Sequence, residues 1–90
     1  MSNTITSQEV EPAVREFIAK NLLYTTEGFP HTDTTSLIGE GILDSLGVVE
    51  LVEFVQTQFG VKVDQQEVTP ANFDSVAKLA AFVRRKQAAS

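Results

Sequence analysis

Along the stretch Ser45–Phe59 the apolar residues Val48, Leu51, Val52, Val55 and Phe59 fall at i, i+3, i+4, i+7 and i+11. That spacing draws one continuous apolar stripe on a helix, whereas an extended chain would scatter the same residues over two faces. Gly60 follows at once and suits the left-handed turn that often ends a helix. A stripe of this kind must be buried against other elements, so the rest of the chain is expected to supply partner helices. The 90 residues, 42% of them hydrophobic and six of them Phe, suffice for one modest core and a single domain over residues 1–90.

Two further helical patterns provide those partners. Val10, Val14, Phe17 and Ile18, with Leu22 as an extension, share a face. Ser7 is a candidate N-cap, although Pro12 is comfortable only in a first turn and moves the regular helix toward Glu11. Near the end, Val76, Leu79, Ala80, Phe82 and Val83 form a helix with Asp74 or Ser75 as N-cap, and Arg84, Arg85 and Lys86 suit its negative end. Residues 64–68 read as one short helical turn that Thr69-Pro70 breaks, and residues 61–63 as buried extended chain. The termini, residues 1–6 and 87–90, are expected to fray.

Residues 24–44 hold no period and are rich in Gly, Pro, Thr and Asp. A connection this long inside a small domain is uncommon without a function. Leu37, Ile38, Ile42 and Leu43 are expected to pin it to the helices, with Gly39 and Gly41 turning between those anchors.

The charge is unevenly spread. Residues 27–67 contain Glu27, Asp33, Glu40, Asp44, Glu50, Glu53, Asp64 and Glu67 against the single base Lys62, so the net charge of −5 is concentrated there. Such a field repels nucleic acid phosphates and anionic membranes and steers basic partners. With no cysteine, no charged-then-apolar leader and no long apolar run, a disulfide-free cytoplasmic protein is expected. No enzyme pattern is present either. The lone histidine, His31, sits in the polar loop away from any candidate nucleophile, no metal-ligand spacing occurs, and no Gly-rich phosphate loop precedes a helix.

What stands out is Ser45, at the head of the strongest helix. Unsatisfied N–H groups and the positive dipole end favour a phosphate there. An Asp-Ser pair before a helix is also an ordinary capping arrangement, so Asp44 or Ser45 as a plain N-cap competes with that reading.

The surrounding residues weigh on the choice. Gly41-Ile42-Leu43-Asp44-Ser45-Leu46, then Val49-Glu50-Leu51, Phe59-Gly60-Val61 and Pro70-Ala71-Asn72-Phe73-Asp74-Ser75-Val76, together resemble the attachment region of acyl and peptidyl carrier proteins. The likeness spans about residues 10–86. It implies an all-α fold, a small four-helix bundle of three long helices and one short one with a long loop between the first two. It further implies 4′-phosphopantetheine carried covalently on Ser45, with Asp44 beside it presenting the serine to a phosphopantetheinyl transferase. Leu46, Val49, Glu50 and Glu53 match the exposed helix face that partner enzymes read, although core packing is the competing role for Leu46 and Val49.

Several positions depart from the fatty-acid branch. Ile42-Leu43-Asp44 replaces its usual glycine-led approach to the serine, Gln56 and Thr57 stand where it tends to have acids, and Glu53 where it often has an apolar residue. These features look more like stand-alone carriers that work beside an adenylate-forming ligase, including aminoacyl and D-alanyl carriers. The expected function is tethering of an activated acyl or aminoacyl group as a thioester by a monomer that does no chemistry itself. A fatty-acid synthase carrier, or a non-covalent helical adaptor with an acidic docking face, are the alternatives.

Overall fold

The computed structural model describes residues 10–89, so residues 1–6 and the capping role read for Ser7 lie outside the described part. Four α-helices follow in order, α1 (Val10–Asn21), α2 (Ser45–Phe59), α3 (Pro70–Phe73) and α4 (Val76–Ala89), with a 3-10 turn over Gln65–Glu67 before α3. No strand occurs among the described residues. The all-α bundle of three long helices, one short helix and a long first connection is therefore the architecture observed.

The apolar stripe of α2 faces the core as its period requires. Leu51, Val55 and Phe59 are buried, Val48 and Val52 flank them half-buried, and Gly60 ends the helix at φ 68° with its N–H on the Gln56 carbonyl, 3.0 Å away. From α1, Val10, Val14 and Ile18 meet this stripe, and Val76, Leu79, Ala80, Phe82 and Val83 of α4 close the core. Phe54 lies off the stripe, yet it stacks on Phe17 with ring centroids 4.3 Å apart. Leu22, just past the end of α1, approaches Gly47 at the start of α2, while Phe17, earlier in α1, meets Phe54 later in α2, so the two helices run antiparallel.

Pro12 stands in the first turn of α1, where its missing N–H breaks no intrahelical bond. The sequence predicts that Thr69-Pro70 breaks a helical turn, and the break is real. However, the same proline also opens α3 as its first residue, with Thr69 extended before it. Ser75 is the residue whose hydroxyl accepts the Lys78 N–H, at 3.1 Å, and caps α4. That helix continues past Lys86 to Ala89, into the segment expected to fray.

The long connection is tied down at three levels. Leu37 is fully buried and Leu43 nearly so. Asp33 pairs with Arg15 of α1 at 2.9 Å, while its carbonyl accepts the Ala77 N–H of α4 at 2.8 Å. Asp74, freed from capping α4, turns its carboxylate to the Ser36 hydroxyl (3.0 and 2.8 Å) and the Ile38 N–H (2.9 Å). One expectation fails here. Ile38 is 47% exposed and pins nothing, because the turn that buries Leu37 directs its neighbour outward.

Acid stability follows from three carboxylates. The Arg84 guanidinium, 2.6 Å from Glu11, holds that carboxyl below its usual range. The Ile38 N–H does the same for Asp74, and the Asp64 N–H, together with Lys86, for Glu67. A carboxylate whose folded pKa is depressed contributes stability above its unfolded value, about 4 to 4.5, that is lost as pH falls through the folded value. The urea midpoint should hold between pH 7 and 5 and drop toward pH 3. Glu11→Gln should lower the midpoint at pH 7 and make the acid drop shallower.

Candidate functional site

Ser45 is the first residue of α2 and is exposed. The cap is Asp44, which keeps extended backbone (φ −119°, ψ −171°) while its Oδ1 accepts the Gly47 N–H at 2.8 Å and its carbonyl accepts the Val48 N–H at 2.9 Å. Of the two capping candidates, the aspartate therefore does the capping. The serine hydroxyl is left without a hydrogen-bond partner among the described residues. Within the helix, the N–H groups of Ser45 and Leu46 have no carbonyl to bond, so a phosphate on Ser45 would meet two free donors and the positive end of a 15-residue helix.

Gly47 is a residue that periodicity passes over. It is buried, and a Cβ at this position would stand 3.3 Å from both Asp44 Oδ1 and Leu43 Cδ1. The bare backbone lets the capping carboxylate and a core leucine close over the first turn together. Its signal in the sequence is that glycine costs about 1 kcal/mol against alanine inside a helix, so it needs a packing reason.

Leu46 and Val49 are 66% and 54% exposed, which removes core packing as their role. Glu53 is exposed and Glu50 half-buried, and both border a groove floored by Phe17 and Phe54 between α1 and α2. The result is an apolar and acidic face beside Ser45. No Lys or Arg occurs between Lys20 and Lys62 to neutralise it. The departures from the fatty-acid pattern have separate fates. Gln56 turns its side-chain oxygen to the Val63 N–H (2.9 Å) and so anchors the chain after α2, whereas Thr57 is exposed.

On the other side of α2, Ile38, Leu43, Val48, Pro70 and Phe73 line a small apolar cleft of about 120 Å³. His31 is half-buried edge-on against Phe29, 5.5 Å between ring centroids, rather than solvated as its polar loop suggests. No cluster of metal-ligating side chains exists among the described residues, and none of their helices is long and apolar enough to cross a membrane.

The cap can be tested directly. Asp44→Ala should lower unfolding stability by about 1 kcal/mol, whereas Asp44→Asn, which still offers an oxygen to Gly47, should keep most of it. Thermal melts followed by circular dichroism would separate the two.

Residues 12–83 match the family described as phosphopantetheine attachment site. Among characterised relatives, the probable acyl carrier protein PigG of a Serratia species is 37% identical over 54 residues, 60% of this chain and 62% of that protein. D-alanyl carrier protein 1 of Lactiplantibacillus plantarum is 40% identical over 52 residues, 58% of this chain and 65% of the relative. The matched stretch thus spans just under two thirds of either relative. A chain in a solved structure titled "Crystal structure of FAD-dependent dehydrogenase" superposes with a TM-score of 0.68 at 37% identity, covering 78% of this chain and 97% of that one. The chain belongs to the phosphopantetheine attachment family, whose members carry 4′-phosphopantetheine covalently on a serine.

Proposed function

We propose that Ser45 is the serine that carries the arm, and that the protein is a stand-alone carrier tethering an activated acyl or aminoacyl group in a specialised pathway. The observation that carries this reading is the exposed, unengaged hydroxyl of Ser45 at the head of α2, with Asp44 doing the capping in its place. In the transfer, Ser45 Oγ forms a bond to the phosphorus next to pantetheine in coenzyme A. The pyrophosphate link breaks, adenosine 3′,5′-bisphosphate leaves, and the hydroxyl proton passes to the transferase. The arm supplies a thiol, which a chain without cysteine lacks.

On this reading the protein is not an enzyme. Asp44 and the face of Leu46, Val49, Glu50 and Glu53 present the serine to a phosphopantetheinyl transferase and then to an adenylate-forming ligase. Exposed apolar residues give a docking partner contact area, and the uncompensated acids speed encounter with basic rims. The protein would work as a monomer in the cytoplasm, where its coenzyme A donor is found.

Two observations narrow the cargo. The D-alanyl carrier relative favours an amino acid unit, and the apolar cleft has space for only a few methylene-sized groups, against the fatty-acid alternative. A matched chain almost wholly covered by part of a 90-residue protein is too short to be a flavoenzyme itself. Its place in a structure titled for a FAD-dependent dehydrogenase favours such a dehydrogenase among the downstream partners.

Incubating the purified protein with coenzyme A and a broad-specificity phosphopantetheinyl transferase should add the mass of one arm, and Ser45→Ala should gain nothing. A folded wild-type chain that gains no mass would instead favour the non-covalent adaptor.

A further inference from the structure

We infer that Ile38 is a contact residue for the transferase that acts on Ser45, and that Asp74 is the residue that positions it. This rests on the reading of Ser45 as the arm-bearing serine. Single exposed apolar residues are ordinary on protein surfaces. What distinguishes Ile38 is how firmly it is held in the open. Its own N–H donates to Asp74 Oδ1 at 2.9 Å, the Leu37 N–H before it donates to the Asp74 carbonyl at 2.7 Å, and the Ser36 hydroxyl reaches both carboxylate oxygens. One residue of the α3–α4 junction therefore takes bonds from three consecutive loop residues.

The same turn supports the approach to the serine. The Leu37 carbonyl accepts the N–H groups of Ile42 and Leu43 at 2.9 and 3.1 Å, so Ile38 is clamped against the strand of chain that runs into Asp44 and Ser45. Its side chain stands at the mouth of the apolar cleft with Leu43, Val48 and Phe73, on the loop side of α2. With Leu46 and Val49 it is one of three large aliphatic side chains exposed near the serine.

An enzyme that brings a reactant to Ser45 Oγ must cover this ground, since a specific interface takes about 800 Å² from each partner. The charge around it fixes the partner's chemistry. Glu40, Asp44, Glu50 and Glu53 form no ion pair among the described residues. The complementary surface is an apolar hollow ringed by Arg and Lys. The partner is the phosphopantetheinyl transferase, the one enzyme that must engage the bare protein before any arm exists.

The test is the steady-state rate of arm transfer from coenzyme A by a broad-specificity transferase, read by intact mass as the carrier concentration is varied. Ile38→Asn keeps the backbone N–H that bonds Asp74 and adds no charge beside its carboxylate, and it should raise KM for the carrier about tenfold, equivalent to about 1.4 kcal/mol, with kcat within about twofold. Ile38→Leu should restore the wild-type KM. Asp74→Ala, on a chain still helical by circular dichroism, should raise KM in the same direction with little change in kcat, whereas Asp74→Asn, which still offers an oxygen to the Ile38 N–H, should keep KM close to wild type. An unchanged KM for Ile38→Asn would overturn the contact, and an unchanged KM for Asp74→Ala would overturn the positioning role. A wild-type chain that accepts no arm would remove the reading of Ser45 itself, an outcome distinct from either.

Discussion

The connection over residues 22–44 carries the chain from α1 into Ser45, and everything at the serine depends on its being held still. Leu37 is the fixed point. Its side chain is fully buried, its N–H bonds the Asp74 carbonyl, and its own carbonyl takes the N–H groups of Ile42 and Leu43. Burial of one leucine contributes about 1.5–3 kcal/mol, comparable with the cost of ordering a residue or two of loop backbone. The loop therefore needs the polar ties as well, from Asp33 to Arg15 and Ala77 and from Asp74 to Ser36 and Ile38. With the loop fixed, Asp44 can cap α2 and the serine beside it is left open.

Much of this was legible before the fold. The period of Val48, Leu51, Val52, Val55 and Phe59, ended by Gly60, set the limits of α2 because a helix with one buried face has few ways to sit. A cap at Asp74 or Ser75, of which Ser75 takes the role, and the burial of Leu37 and Leu43 also followed from residue type and position. The misses share a cause, which is that local pattern does not encode long-range geometry. Phe54 lies off the stripe and finds Phe17 only because α1 runs antiparallel to α2. Pro70 reads as a breaker, and whether a helix restarts at it depends on what Phe73 can bury against. Asp74 looks like a cap, and its partners lie 36 and 38 residues away. At the proposed site, the place of Ser45 at the head of α2 and the separate face of Leu46, Val49, Glu50 and Glu53 were legible from spacing. Gly47 was passed over although its cost inside a helix was visible.

The division of labour follows from the distribution of polarity. Among the described residues the bundle turns its large apolar side chains inward except at Ile38, Leu46, Val49 and Tyr24, with Leu46 and Val49 in the first turns of α2 and Ile38 on the loop that leads to it. Three of its seven bases tie elements of the body together, Arg84 with Glu11, Lys86 with Glu67 and Arg15 with Asp33. The acids near the serine, Asp44, Glu50 and Glu53, form no ion pair among the described residues. On the proposed reading, a small protein arranged in this way contributes a stable body, a reachable hydroxyl and a readable face, while reactivity would come from the attached group and the enzymes that act on it.

The central claim is that Ser45 bears the arm in the living cell. Tandem mass spectrometry of the protein purified from its native source, digested so that one peptide spans Ser45, tests it most directly. The account predicts a phosphopantetheine adduct on that peptide, localised to Ser45, with part of the population carrying a further small acyl or aminoacyl mass on the thiol. A native population with Ser45 unmodified throughout, or with the adduct on any other residue, would contradict it.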